Sequence, residues 1–76
     1  MDKEKFLQNV LEQFEETDAS QIKMQTEFLN LDEWDSLIAL SVIAMIDDEY
    51  GVKVTGDDIR NSKTIEDIFK IVESKV

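Results

Sequence analysis

A chain without histidine and without cysteine has lost the commonest general base, the commonest transition-metal ligand and every thiol. Carboxylates and hydroxyls are what remain for chemistry. Asp35-Ser36-Leu37 sets a hydroxyl beside a carboxylate, just ahead of an apolar run from Leu37 to Ile46 in which Ser41 is the one polar residue. By itself the tripeptide reads as a helix start, with Ser36 or Asp35 as the N-cap. Catalysis by Asp and Glu alone needs a pocket to hold them, and no residue pattern here points to one, so a protein that is not an enzyme is predicted. A calcium loop needs alternating oxygen ligands, a central glycine and a closing Glu. Asp47-Asp48-Glu49-Tyr50-Gly51 and Asp57-Asp58 lack that spacing, and no metal site is expected beyond weak binding of divalent cations to acidic clusters.

The elements that must position Ser36 are helical. The chain has no proline, and its glycines are Gly51 and Gly56. Apolar residues repeat at helical spacing almost throughout, with Val52-Lys53-Val54 as a short exception. A first helix is predicted from a cap at Asp2 to about Glu16, with Phe6, Leu7, Val10, Leu11 and Phe14 on one stripe. A connection of about 15 residues follows, from near Thr17 to Leu31, longer than most helix–helix loops. Its Ile22, Met24, Phe28, Leu29 and Leu31 should pin it to the core. A second helix begins at Asp35 or Ser36 and runs to Tyr50, with Gly51 as its stop. A short third helix fits Asp57 to Asn61, whose leading acids suit a helix N-terminus. Thr64-Ile65-Glu66-Asp67 resembles a capping box and opens a fourth helix to about Lys75, along Ile65, Ile68, Phe69 and Val72. The predicted fold class is all-α: a small four-helix bundle, three longer helices and one short third helix, with a long loop between helices one and two, in one domain over residues 1–76.

The second helix carries two apolar faces. At 100° per residue, Ala39, Val42, Ile43, Ile46 and Tyr50 fall on one side and Leu37, Leu40, Ser41, Ala44 and Asp48 on the other. A small bundle buries one face of such a helix. Either this helix is packed all round, or Leu37, Leu40 and Ala44 form an exposed contact surface for partners. Asp32, Glu33 and Asp35 precede the apolar run and Asp47, Asp48 and Glu49 follow it, giving an apolar centre with an acidic rim.

Charge narrows the partners further. Eighteen acidic residues stand against eight basic ones, for a net charge of -10. Residues 1–36 hold ten acids and three lysines, so the imbalance is concentrated before the second helix. Phosphate backbones and anionic membranes are excluded as partners, because both need clustered Lys and Arg. Basic protein surfaces are favoured instead. No apolar stretch approaches the roughly 20 residues that span a bilayer. Met1-Asp2-Lys3-Glu4-Lys5 lacks the basic start and apolar run of a signal peptide. A cytoplasmic protein acting as a monomer is expected.

Phe28-Leu29-Asn30-Leu31, Trp34-Asp35-Ser36-Leu37, Asp47-Asp48-Glu49-Tyr50-Gly51-Val52 and Thr64-Ile65-Glu66-Asp67-Ile68 follow one another in the order and spacing of the acyl carrier protein family. The chain resembles that family over essentially its whole length. The resemblance implies a 4′-phosphopantetheine arm on Ser36, taken from coenzyme A, with Asp35 contacting the phosphopantetheinyl transferase. It implies that Leu37, Leu40, Ser41, Ala44 and Asp48 meet acyl-activating, ketosynthase or acyltransferase-type enzymes. A phosphodiester on Ser36 would sit at a helix N-terminus, where the dipole and free amides favour an anion. The thiol of the arm would supply what a cysteine-free chain lacks, and tethering would raise the concentration of a bound acyl group near docked enzymes. The chain departs from many fatty acid carriers in lacking a glycine shortly before the motif, in a stretch one residue longer. It also has Ile38 and Ser41, two and five residues after the serine, where those carriers have acids. These departures point away from general fatty acid synthesis, toward a dedicated pathway such as polyketide, lipid or surface-glycan modification. Two other readings stay open. One is an aminoacyl or peptidyl carrier, although the Gly-Gly common before the serine region in those is absent. The other is a noncatalytic helical adaptor that offers the second helix to a partner and has no use for Ser36.

Overall fold

The carboxylate of Asp2 accepts hydrogen bonds from the amides of Glu4 and Lys5 and opens helix α1, Lys3–Leu11. This is seen in a computed structural model that describes residues 1–76. Phe6 and Val10 are fully buried, and Leu7 and Leu11 pack half-buried beside them. The helix ends at Leu11, short of the expected Glu16. The amides of Gln13 and Phe14 tighten onto the carbonyls of Val10 and Leu11, three residues back. Those of Glu15, Glu16 and Thr17 leave the helix altogether and donate to the carboxylate of Glu33. Phe14 still reaches the core, its ring 6.2 Å from that of Trp34.

The long connection is pinned, as its apolar residues require. It holds two 3₁₀ turns, Ala19–Gln21 and Phe28–Asn30. Ile22 and Phe28 are buried, and Met24 and Leu31 lie half-buried against the core. The carbonyl of Met24 accepts from the amide of Glu66 at 2.9 Å, and Glu27 bridges Thr64 in antiparallel sense. The loop thereby satisfies one of the amides that every helix start leaves without an intrahelical acceptor. Leu29 is the correction: it is 45% exposed. Its neighbour Phe28 takes the core position, with its ring 4.6 Å from Trp34, and successive residues on a 3₁₀ turn point in different directions.

Helix α2 runs Ser36–Tyr50 and is stopped by Gly51, in the left-handed region at φ 65°. Only a residue without a Cβ enters that region at little cost. Val52 and Val54, just after Gly51, are buried without forming a strand. Helix α3, Gly56–Arg60, lies one residue earlier than expected, because Thr55 and Asp58 form a capping box that fixes its start. A second such box, Thr64 with Asp67, starts α4, Ile65–Lys75. Hydrogen bonds from the Thr55 amide, and then from its side chain, lower the pKa of Asp58, and those from the Lys63 and Thr64 amides lower that of Asp67.

Fifteen buried apolar side chains from all four helices and the loops form one cluster. Burying each large one contributes about 1.5–3 kcal/mol before entropy is charged against it. The Phe6 ring meets Phe69 edge-on at 5.4 Å and Tyr50 at 5.8 Å. Buried Asn9 donates to the Tyr50 hydroxyl at 3.0 Å. No buried side-chain nitrogen or oxygen lacks a partner, so the interior carries no spare polar group. The fold is an all-α bundle of four helices without strands.

Candidate functional site

Asp35 and Ser36 were equal candidates for the cap of α2, and the structure separates them. Asp35 has extended backbone, its carboxylate accepts from the Ile38 amide at 2.9 Å, and its carbonyl accepts from the Ala39 amide at 3.0 Å. It is the cap. Ser36 is the first helical residue, and its side chain is exposed. Its hydroxyl makes no hydrogen bond, and neither its amide nor that of Leu37 donates to any group of the chain. The start of α2 therefore presents a free hydroxyl and two free amides to solvent, at the positive end of a 15-residue helix.

The loop in front of Ser36 is held from two sides. Trp34 is wedged between Phe28 and Phe14. Glu33 accepts from the amides of Glu15 at 2.6 Å and Thr17 at 2.7 Å, from that of Glu16 at 3.1 Å, and from the Thr17 hydroxyl at 2.6 Å. The Thr17 hydroxyl and then these amides hold its pKa down at about 2. Sequence reasoning saw in Glu33 only a member of the acidic rim. Nothing local links it to an acceptor-hungry turn sixteen to eighteen residues earlier.

The outer face of α2 is exposed, which rules out a helix packed all round. Leu37 is 73% and Leu40 61% exposed, Ala44 and Asp48 are exposed, and Ser41 is half-buried. Leu37 and Ser41 share a shallow groove with Asp35; Ser41, Ala44 and Asp48 share a neighbouring one against α1. Leu40 lines neither and stands clear. On the inner face Val42 and Ile46 are fully buried, joined by Met45. Ile43 and Ala39 are only half-buried, so Ile43 is at the margin of the core and not in it. No group of three or more acidic side chains converges as a metal site would require.

The family described as phosphopantetheine attachment site matches residues 5–72. The chain belongs to this family. No curated protein and no solved structure matches it. The match runs from α1 into α4, so the whole bundle, and not one motif, is that of a carrier domain. Carrier domains bear 4′-phosphopantetheine, are served by phosphopantetheinyl transferases and pathway enzymes, and are in general not catalysts.

The donor set at α2 fits such a group. A phosphodiester is an acceptor-only anion, and the carrier offers free N–H donors and a helix dipole where its exposed hydroxyl stands. Ser36 also lines a groove of ≈ 290 Å³ between α2 and α3, walled by Leu29, Trp34, Ala39 and Ile59 and closed by Gly56 and Arg60. Leu29, Trp34 and Arg60 were not singled out as site residues from sequence. The exposure of Leu29 is the visible trace of this groove. No helix of the carrier is long and apolar enough to cross a membrane.

Proposed function

We propose that Ser36 carries the 4′-phosphopantetheine arm, and that this chain is an acyl carrier which presents thioester-bound acyl groups to partner enzymes and catalyses nothing itself. The observation that carries this reading is the division of labour at the start of α2. Asp35 takes the capping role, which leaves the Ser36 hydroxyl exposed and without a partner. In loading, Ser36 Oγ bonds to the coenzyme A phosphorus next to pantetheine. The pyrophosphate bond breaks, adenosine bisphosphate leaves, and the serine proton passes to the transferase. The bound arm supplies the thiol on which cargo rides.

The finer readings follow from surface chemistry. The acidity, and the lack of Gly-Gly before the serine region, favour an acyl over an aminoacyl or peptidyl cargo. Ile38 and Ser41 take the place of acids on α2, so docking leans on Leu37, Leu40 and Ala44 at its centre and on Asp48 at its rim. That balance favours dedicated enzymes over the general fatty acid machinery. The test is in vitro loading of the unmodified protein by a broad-specificity phosphopantetheinyl transferase, with coenzyme A and magnesium. The wild type gains the mass of one phosphopantetheinyl group, and Ser36→Ala gains none. Undiminished gain by Ser36→Ala, or no gain by the wild type with several such transferases, contradicts the reading.

A further inference from the structure

Arg60 is the last residue of α3 and the only arginine of the chain. Its guanidinium pairs with Asp57 and lies back across the start of α3: a Cβ built on Gly56 would stand 3.4 Å from its Nη1. That posture brings Arg60 to the groove that Ser36 lines, where it is the only cation and Asp35 the only anion. A pair as exposed as this one, with Arg60 at 70%, contributes little to stability.

A phosphodiester on Ser36 changes the electrostatics of the groove. It adds an anion beside Asp35, on a chain already at -10. The amides of Ser36 and Leu37 have no partner in the chain and are available to it. The guanidinium offers five N–H donors in a fixed fork, and Asp57 does not use them all. We propose that Arg60 is the positioning residue for the phosphate of the arm, holding it against the start of α2 so that the pantetheine leaves along the apolar wall of Leu29 and Trp34. This rests on the assignment of the arm to Ser36. Its consequence is an arm with a preferred direction at its root, toward α3 and away from the Leu40 face.

One arginine and one phosphorus make the test a matter of two signals. The protein is loaded with the arm, intact mass confirms loading, and the side-chain Nε–Hε resonance of Arg60 and the ³¹P resonance of the phosphodiester are recorded. The Nε–Hε signal is expected to move on loading and its exchange with water to slow several-fold. In loaded Arg60→Gln the ³¹P signal is expected to shift from its wild-type position, with Arg60→Lys falling between. A loaded protein whose Nε–Hε signal coincides with that of the unloaded one overturns the role of Arg60, as does a ³¹P signal unchanged in Arg60→Gln, and either result leaves Ser36 as the attachment point. A protein that gains no mass overturns both. The Nε–Hε comparison uses the wild type alone, so it decides the matter even if a variant fails to fold.

Discussion

At the scale of single residues, Glu33 and Asp35 organise the loop before α2 and the start of that helix without bonding to the Ser36 hydroxyl. Glu33 ties the turn after α1 to the loop before α2 through four donors. Its folded pKa is near 2, below the ordinary value of 4.5. The stabilisation is therefore fully present above about pH 4.5 and is lost as pH falls through 2. Glu33→Gln should lower the melting midpoint at neutral pH and flatten its fall over that acid window, read by circular dichroism melts across pH. A variant whose midpoint tracks the wild type down to pH 2 would mean that the clamp contributes nothing. Asp58 and Asp67, lowered by their capping boxes, add losses in the same direction below their ordinary value of 3.8, so some acid sensitivity should survive in the variant. Asp35 divides differently, because an amide caps as well as a carboxylate. Asp35→Asn should keep the midpoint within a few tenths of a kcal/mol of stability, whereas Asp35→Ala should cost about 1 kcal/mol. If Asp35 also contacts the transferase, Asn alone should slow loading with the fold intact. Equal loading rates for Asp35→Asn and wild type would reduce Asp35 to a cap.

At the scale of elements, α2 is the helix whose two faces meet different surroundings. Val42 and Ile46 are wholly buried while Leu37 and Leu40 are open. Val42→Glu places an unpaired carboxylate in the core and should cost about 4 kcal/mol or more, enough to unfold a domain of this size. Leu40→Glu should change stability by about 0.5 kcal/mol at most, yet cripple transfer to the cognate enzyme by charging the apolar centre of the contact. Paired melts and transfer assays check this, and a Leu40→Glu protein that melts like Val42→Glu would show a helix buried on both sides. Ile43→Glu should fall between the two, as its half-burial requires. Which ends and faces were legible in the sequence depended on range. The caps at Asp2 and Thr64 and the stop at Gly51 are local chemistry, and each end stands where the residues put it. The Thr55–Asp58 box carried the same signal, and reading it would have set α3 one residue earlier. The end of α1 was not legible, because the groups that draw Glu15 to Thr17 out of the helix belong to Glu33. Ile43 was misplaced by the wheel for a related reason: burial depends on where α1, α3 and α4 stand, which an isolated helix does not record.

At the scale of the whole molecule, charge and apolar surface act on different steps. A net charge of -10 on 76 residues opposes compaction by self-repulsion. Moderate sodium chloride should therefore raise the melting midpoint by screening it, since the four ion pairs, all at exposed or half-exposed positions, have little to lose. A midpoint that falls with salt would show that those pairs outweigh the repulsion. Toward a basic partner the same charge should speed encounter, and salt should slow it, while the lifetime of the complex follows Leu37, Leu40 and Ala44. Above all, the bundle is proposed to hold an arm on Ser36. This is tested most directly by intact-mass and fragmentation analysis of the protein purified from its native cells. The expected result is the mass of one phosphopantetheinyl group, with or without an acyl group on its thiol, located by fragmentation to Ser36. An unmodified chain, or the same mass on any other residue, would contradict it.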